Sequence, residues 1–163
     1  MKFVNTLGLG LLFAVLSMTG CSQPANPPRS EAPKVTTTPP AEHAPHGAGP
    51  NGGVIFDLGK YHAEFTVNHP AKECTVLFVT GDKSDAQSLP VAAKEFTLSI
   101  KETKTADGTV VPPMTIQLLP KDEKDGKAAK FVGTDPGIGN VADFEGVVIG
   151  EIDGKPSQGE FKE

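Results

Sequence analysis

From Gly53 onward, apolar and polar residues alternate with a period of two, and the alternation breaks at Gly, Pro, Asn and Asp. That is the pattern of half-buried strands joined by turns. "GVIFDL" (53–58) reads as a short strand, which Asp57-Leu58-Gly59-Lys60 turns into "YHAEFTVNH" (61–69). In the second of these, Tyr61, Ala63, Phe65 and Val67 share one face, and His62, Glu64, Thr66 and Asn68 share the opposite, polar one. "ECTVLFV" (73–79) is apolar on both faces, as a central strand requires. The loop "TGDKSDAQS" (80–88) leads through "LPVA" to "KEFTLSIK", where Phe96, Leu98 and Ile100 alternate with polar partners. Asp107-Gly108 is a two-residue hairpin signal, and "MTIQLL" then turns Met114, Ile116 and Leu118 inward.

"PKDEKDGKAA" (120–129) reads as a solvated loop before "KFVG". "TDPGIGNVADF" (134–144) is turn-rich, with one helical turn capped by Thr134 or Asp135 and Pro136 in its first position. "EGVVIGEI", an Asp153-Gly154 turn and "KPSQGEF" close the chain as a hairpin. No window of a dozen residues carries helical periodicity. Eight or nine short strands in about 110 residues predict an all-β fold, an antiparallel β-sandwich.

The residues before Gly53 follow different physics. Residues 22–50 hold eight prolines and a single large aliphatic, Val35. Such a segment buries too little apolar surface to offset its ordering entropy, so a disordered tether is expected over residues 21–50. At ~3 Å per residue in polyproline geometry it would span tens of ångströms. Residues 1–20 combine Lys2, an apolar run from Leu7 to Met18 and the small pair Thr19-Gly20. They read as a secretory signal peptide, too short for a spanning helix. The expected domain limits are therefore 1–20, 21–50 and 51–163.

Met18-Thr19-Gly20-Cys21 resembles the bacterial lipoprotein signal, with Met18 where leucine is preferred. That resemblance implies that the Cys21 thiol is diacylated and becomes the new N-terminus. Two or three acyl chains anchor stably, at roughly 0.8 kcal/mol per buried CH₂. Ser22, not aspartate, follows the cysteine, which under the enteric sorting rule directs the product to the outer membrane, periplasm-facing or at the surface.

Composition narrows the partners. With Cys21 lipidated, Cys74 is the only other cysteine, so no intramolecular disulfide is expected. A formal net charge of −5 argues against nucleic acid as a partner. Tryptophan is absent and Tyr61 is the only tyrosine, which argues against an aromatic platform for sugars.

The strand order and the ending "FEGVVIGEIDGKPSQGEF" resemble the small immunoglobulin-like modules of exported bacterial proteins, including copper-resistance and YtkA-type domains. "GPNGGVIFDLGKYHAEFTV" and "FVGTDPGI" resemble a family of uncharacterised envelope lipoproteins common in planctomycete-like bacteria. The first also resembles the lead-in segment of periplasmic adaptor subunits from heavy-metal efflux pumps. The resemblance implies an antiparallel immunoglobulin-like β-sandwich of about 7–9 strands in the cell envelope. Both groups usually open with Gly-Pro-His-Gly-Gly, whereas Asn51 occupies the third position here.

All four histidines lie between residues 43 and 69. His43 and His46 have His-x₂-His spacing, and His62 lies on the polar face of its strand, so a metal site would draw on His43, His46 and His62. Neutral imidazoles suit copper or zinc. The competing reading makes the first two solvated tether residues and His62 an exposed strand residue. Cys74 alternates with Val76 and Phe78, the pattern of a small buried hydrophobe. Asp135 and Asp143 flank the turn-rich segment as caps or surface acids, with calcium as the alternative.

No nucleophile elbow or phosphate-cradling glycine loop occurs, and Asp122, Glu123 and Asp125 sit in a charged loop. The expectation is a lipid-anchored envelope protein whose β-sandwich is a non-catalytic binding module, without a cofactor and with an envelope protein as partner. The alternative is a metal-binding accessory domain for copper, zinc or heavy-metal handling.

Overall fold

A computed structural model describes residues 47–163. The expected signal peptide, Cys21, His43, His46 and most of the expected tether lie outside the described residues. Ten strands follow one another: β1 (Val54–Leu58), β2 (Tyr61–Asn68), β3 (Glu73–Val79), β4 (Phe96–Ile100), β5 (Thr103–Lys104), β6 (Val110–Val111), β7 (Met114–Lys121), β8 (Lys130–Thr134), β9 (Glu145–Ile152) and β10 (Lys155–Lys162). The short pair β5–β6 is the hairpin expected around Asp107-Gly108. The other eight form one antiparallel sheet in the order β1-β2-β3-β8-β7-β4-β9-β10.

β7 joins the two halves of that sheet. Its Met114–Ile100 to Leu118–Phe96 pairs bind it to β4, whereas Leu119, Pro120 and Lys121 pair with Val132, Phe131 and Lys130 of β8. The switch of partners bends the sheet, so its two edge strands approach each other. The Gly59 amide donates to the Gln158 carbonyl at 3.3 Å. A β-carbon on Gly159 would overlap the Asp57 carbonyl oxygen, so only glycine lets β10 come this close to β1. Two hairpin turns meet at this seam. The Tyr61 hydroxyl donates to the Asp153 carboxylate, and Lys60 Nζ stands 3.7 Å from the same carboxylate. The Tyr61 hydrogen bond, helped by the charge of Lys60, holds the Asp153 carboxyl below its ordinary range. The result is an all-β domain whose large antiparallel sheet nearly closes into a barrel.

The inward residues predicted by alternation fill the interior. Ala63, Phe65, Val76, Phe78, Leu98 and Leu118 are completely buried, and Phe131 of β8 and Val148 of β9, not singled out by the pattern, are buried with them. Phe161 of β10 stacks on Phe65 at 4.1 Å between ring centroids and lies 5.6 Å from Phe56, so aromatic contact reinforces the seam from inside. A second cluster joins Phe96 to Phe131 at 4.7 Å and Phe78 to Phe96 at 5.5 Å. Asp135 caps the one 3₁₀ turn, Pro136–Gly139, accepting from the Gly137 amide at 2.7 Å.

Two local expectations need correction. The charged stretch 120–129 is not all solvated loop: Pro120 and Lys121 extend β7, and Ala128 is buried and exchanges backbone hydrogen bonds with Val91. Glu64, assigned by alternation to a polar face, is completely buried.

Candidate functional site

The outward face of the β1-β2-β3-β8 half-sheet carries the polar chemistry. One row of residues crosses it in register, from Ile55 through Glu64, Leu77 and Lys130 to Lys121. Its two ends are treated differently by the fold.

At the first end, Gly47–Gly53 lies as a strap over the sheet. Ala48 bridges Val54, and the Gly49 amide donates to the Gly53 carbonyl at 2.9 Å. The strap is held by Glu64. Its Oε1 accepts from the Asn51 amide at 2.8 Å and the Gly53 amide at 2.9 Å, while its Oε2 accepts from Asn51 Nδ2 at 2.8 Å. Three hydrogen bonds to one carboxylate satisfy a group that would be costly to bury alone. Glycine is required at two strap positions by space. A β-carbon on Gly49 would run into the Glu64 carboxyl, and one on Gly53 into the Phe65 carbonyl oxygen. Thus "GPNGG" is shaped to cover Glu64, and Asn51 is one of its donors.

At the second end, Leu77, Ala129 and the lysines Lys121, Lys124, Lys127 and Lys130 line an open groove of about 780 Å³. It lies within the size range of ligand pockets. A second depression, on the β4–β9 half, carries Glu95, Glu123, Glu151 and Asp153.

The predicted site residues are placed as follows. His62 lies opposite Asp57 in the β1–β2 ladder, its Nδ1 3.0 Å from the carboxylate. It is partly exposed and sits against that carboxylate, where the competing reading expected an exposed strand residue. His43, His46 and Cys21 lie outside the described residues, so His62 is the one member of the expected metal trio that the structure places. Among the described residues, no group of three or more His, Cys, Asp or Glu side chains is placed to hold a metal ion. His69 follows the last residue of β2 and donates from Nδ1 to the Ile138 carbonyl at 2.8 Å, tying the end of the strand to the 3₁₀ turn.

Cys74 is buried as alternation indicated, its Sγ 3.6 Å from the Gly133 carbonyl. Burial pushes its thiol up to about 12. In a Cys21→Ala chain, Cys74 should therefore stay unmodified by a thiol-specific disulfide reagent at pH 8. It should react at once when urea unfolds the chain, and prompt reaction of the native protein would contradict this burial.

Two features escaped the sequence reading. Nothing in a period-two pattern marks which outward residue will be covered, so Glu64 looked like its neighbours. The lysines were signalled by their even spacing, every third residue from 121 to 130, but the overall negative charge masked them. Comparison with protein-family models, curated proteins and solved structures returns no match.

Proposed function

We propose that this chain is an exported lipoprotein, anchored in the outer membrane through acylated Cys21, whose β-domain is a non-catalytic binding module of the cell envelope. The partner is an envelope component that meets the outward face of the first half-sheet. The domain is read as an immunoglobulin-like sandwich, and two half-sheets linked by β7 around a shared phenylalanine core support that reading. The observation that carries the functional reading is the strap. The segment that follows Cys21 runs into a domain whose first turn is fastened to a buried carboxylate. A tether joined to a fastened strap would present the domain from a defined point while leaving the groove at the far end of the row open. The metal-handling alternative rests on the His43–His46 spacing and on His62, whose Nδ1 faces Asp57.

The anchor has a direct genetic test. Cys21→Ala should move the protein from the membrane fraction to the soluble fraction almost completely and abolish incorporation of labelled fatty acid. Two acyl chains hold a protein on a bilayer where one gives only marginal residence, so their loss is close to all-or-none. A variant that stays on the membrane would contradict the proposed anchor.

A further inference from the structure

The groove at the open end of the outward row has a chemistry of its own. Lys121 stands directly opposite Lys130 in the β7–β8 ladder, and Lys124 opposite Lys127 across the turn beyond it. The second pair is fixed by reciprocal backbone hydrogen bonds of 2.8 and 3.0 Å. Like charges placed directly opposite each other repel and oppose folding. In an unbroken strand, residues 121 and 124 would point to opposite faces. Here Asp122, at φ 57°, adopts the left-handed conformation and breaks the alternation, as do Asp125 at 53° and Gly126 at 73°. The chain therefore uses three left-handed residues, two of them not glycine, in a turn that sets all four lysines along one groove.

The charged residues lining the groove are these four lysines with Asp122 and Asp125, a local excess of two positive charges on a chain of net charge −5. Among the described residues, none of the four has a carboxylate oxygen within 4.0 Å, although Lys127 contributes at longer range to holding Asp153 ionised. A repulsive arrangement of this kind is relieved when an anion enters it. The type of anion follows from the cation. The domain has no arginine, because Arg29 is the only one in the chain, so the planar fork that grips carboxylates two-handed is missing. Several compact ammonium charges around an apolar floor suit phosphate groups, whose charge is spread over several oxygens.

We infer that the Lys121–Lys124–Lys127–Lys130 groove binds a ligand carrying two or more phosphate groups, either free or as lipid headgroups. This deepens the binding-module reading and rests on it, but it does not depend on the lipid anchor. Loss of groove binding with Cys21 still acylated would overturn the groove alone.

The test is calorimetric titration of the full chain with inorganic tripolyphosphate. Saturable binding is expected below about 1 mM at low ionic strength, falling at least tenfold as salt screens the charges. The double variant Lys124→Gln/Lys127→Gln changes exposed side chains only and should bind at least tenfold more weakly. The pair Lys101→Gln/Lys155→Gln, outside the groove, should bind within about twofold of wild type. Circular dichroism would establish that both variants are folded.

Vesicles with and without phosphatidylglycerol, offered to the Cys21→Ala chain, separate the two sources. Sedimentation with the anionic vesicles that the groove variant loses identifies lipid headgroups. No sedimentation, with tripolyphosphate still bound, identifies a soluble ligand. The absence of saturable tripolyphosphate binding, or an equal loss in both double variants, would overturn the inference.

Discussion

Replacing Glu64 by alanine should destabilise the domain by about 2–4 kcal/mol and release the strap from the sheet. The side chain is completely buried and supplies the acceptor for three donors, two of them backbone amides. A hydrogen bond to a charged group contributes about 1.5–3 kcal/mol, so three would exceed the expected loss if water could not reach the donors. Asn51 is exposed, however, and its freed amide and side chain would be rehydrated, which offsets part of the cost. Glu64→Gln keeps the volume but turns an NH₂ group toward at least one donor, so an intermediate loss of about 1–2 kcal/mol is expected. Urea unfolding measures both, and amide exchange locates the effect. Protection should vanish at Asn51 and Gly53 in Glu64→Ala while the β4–β9 ladder keeps its own. Unchanged protection of those two amides would show that Glu64 does not hold the strap.

The seam between β1 and β10 should be equally intolerant of a side chain. Gly159→Val is expected to cost about 3 kcal/mol, the upper end of the overpacking range, because the obstacle is the Asp57 backbone carbonyl, with the Phe56 ring beside it. A flexible side chain could swing aside, but a backbone carbonyl moves only if β1 moves with it. Displacing β1 would also part Phe161 from Phe56 and Phe65, loosening the aromatic contacts inside the seam. A neighbouring exposed position gives the control. Gln158→Val on the same strand should change stability by less than about 0.5 kcal/mol, since its side chain points to solvent. Thermal unfolding of the two variants would compare them, and equal midpoints would show that β10 does not need its glycine.

Most of the strand framework was legible because its causes are local. Period-two alternation and, for β3, an apolar run between turn residues placed β1, β2, β3, β4 and β9 within a residue or two. The Asp107-Gly108 and Asp153-Gly154 pairs supplied the left-handed turn residues that tight hairpins need, with Asp153 at φ 52° and Gly154 at 74°. Asp135 before Pro136 announced its turn, and Cys74 followed the inward face of its strand.

What escaped depends on residues far apart in the chain. Alternation says which way Glu64 points but not that residues 47–53 will fold over it. The charge of residues 120–129 read as a loop, yet Pro120 and Lys121 continue β7 just past the point where that strand changes partners, and a proline's missing N–H is tolerated there. The meeting of β1 with β10 rests on the absence of a side chain at Gly159, more than a hundred residues from the carbonyl it accommodates. The lysine groove needed Asp122 in a left-handed conformation, which aspartate tolerates but which no Gly or Asn beside it signalled.

The candidate site thus divides by the range of its causes. His62 could be assigned to an outward face from β2 alone, whereas its Asp57 partner required the β1–β2 register. The strap and the groove could be found only when five strands were set side by side.

The central claim, that a lipid anchor at Cys21 displays this domain in the envelope, is tested most directly by the mass of the N-terminal peptide of the protein isolated from membranes. The account predicts a peptide that begins at Cys21, lacks residues 1–20 and carries a diacylglycerol on its sulfur. A peptide retaining residues 1–20, or one beginning elsewhere with an unmodified Cys21, would contradict it.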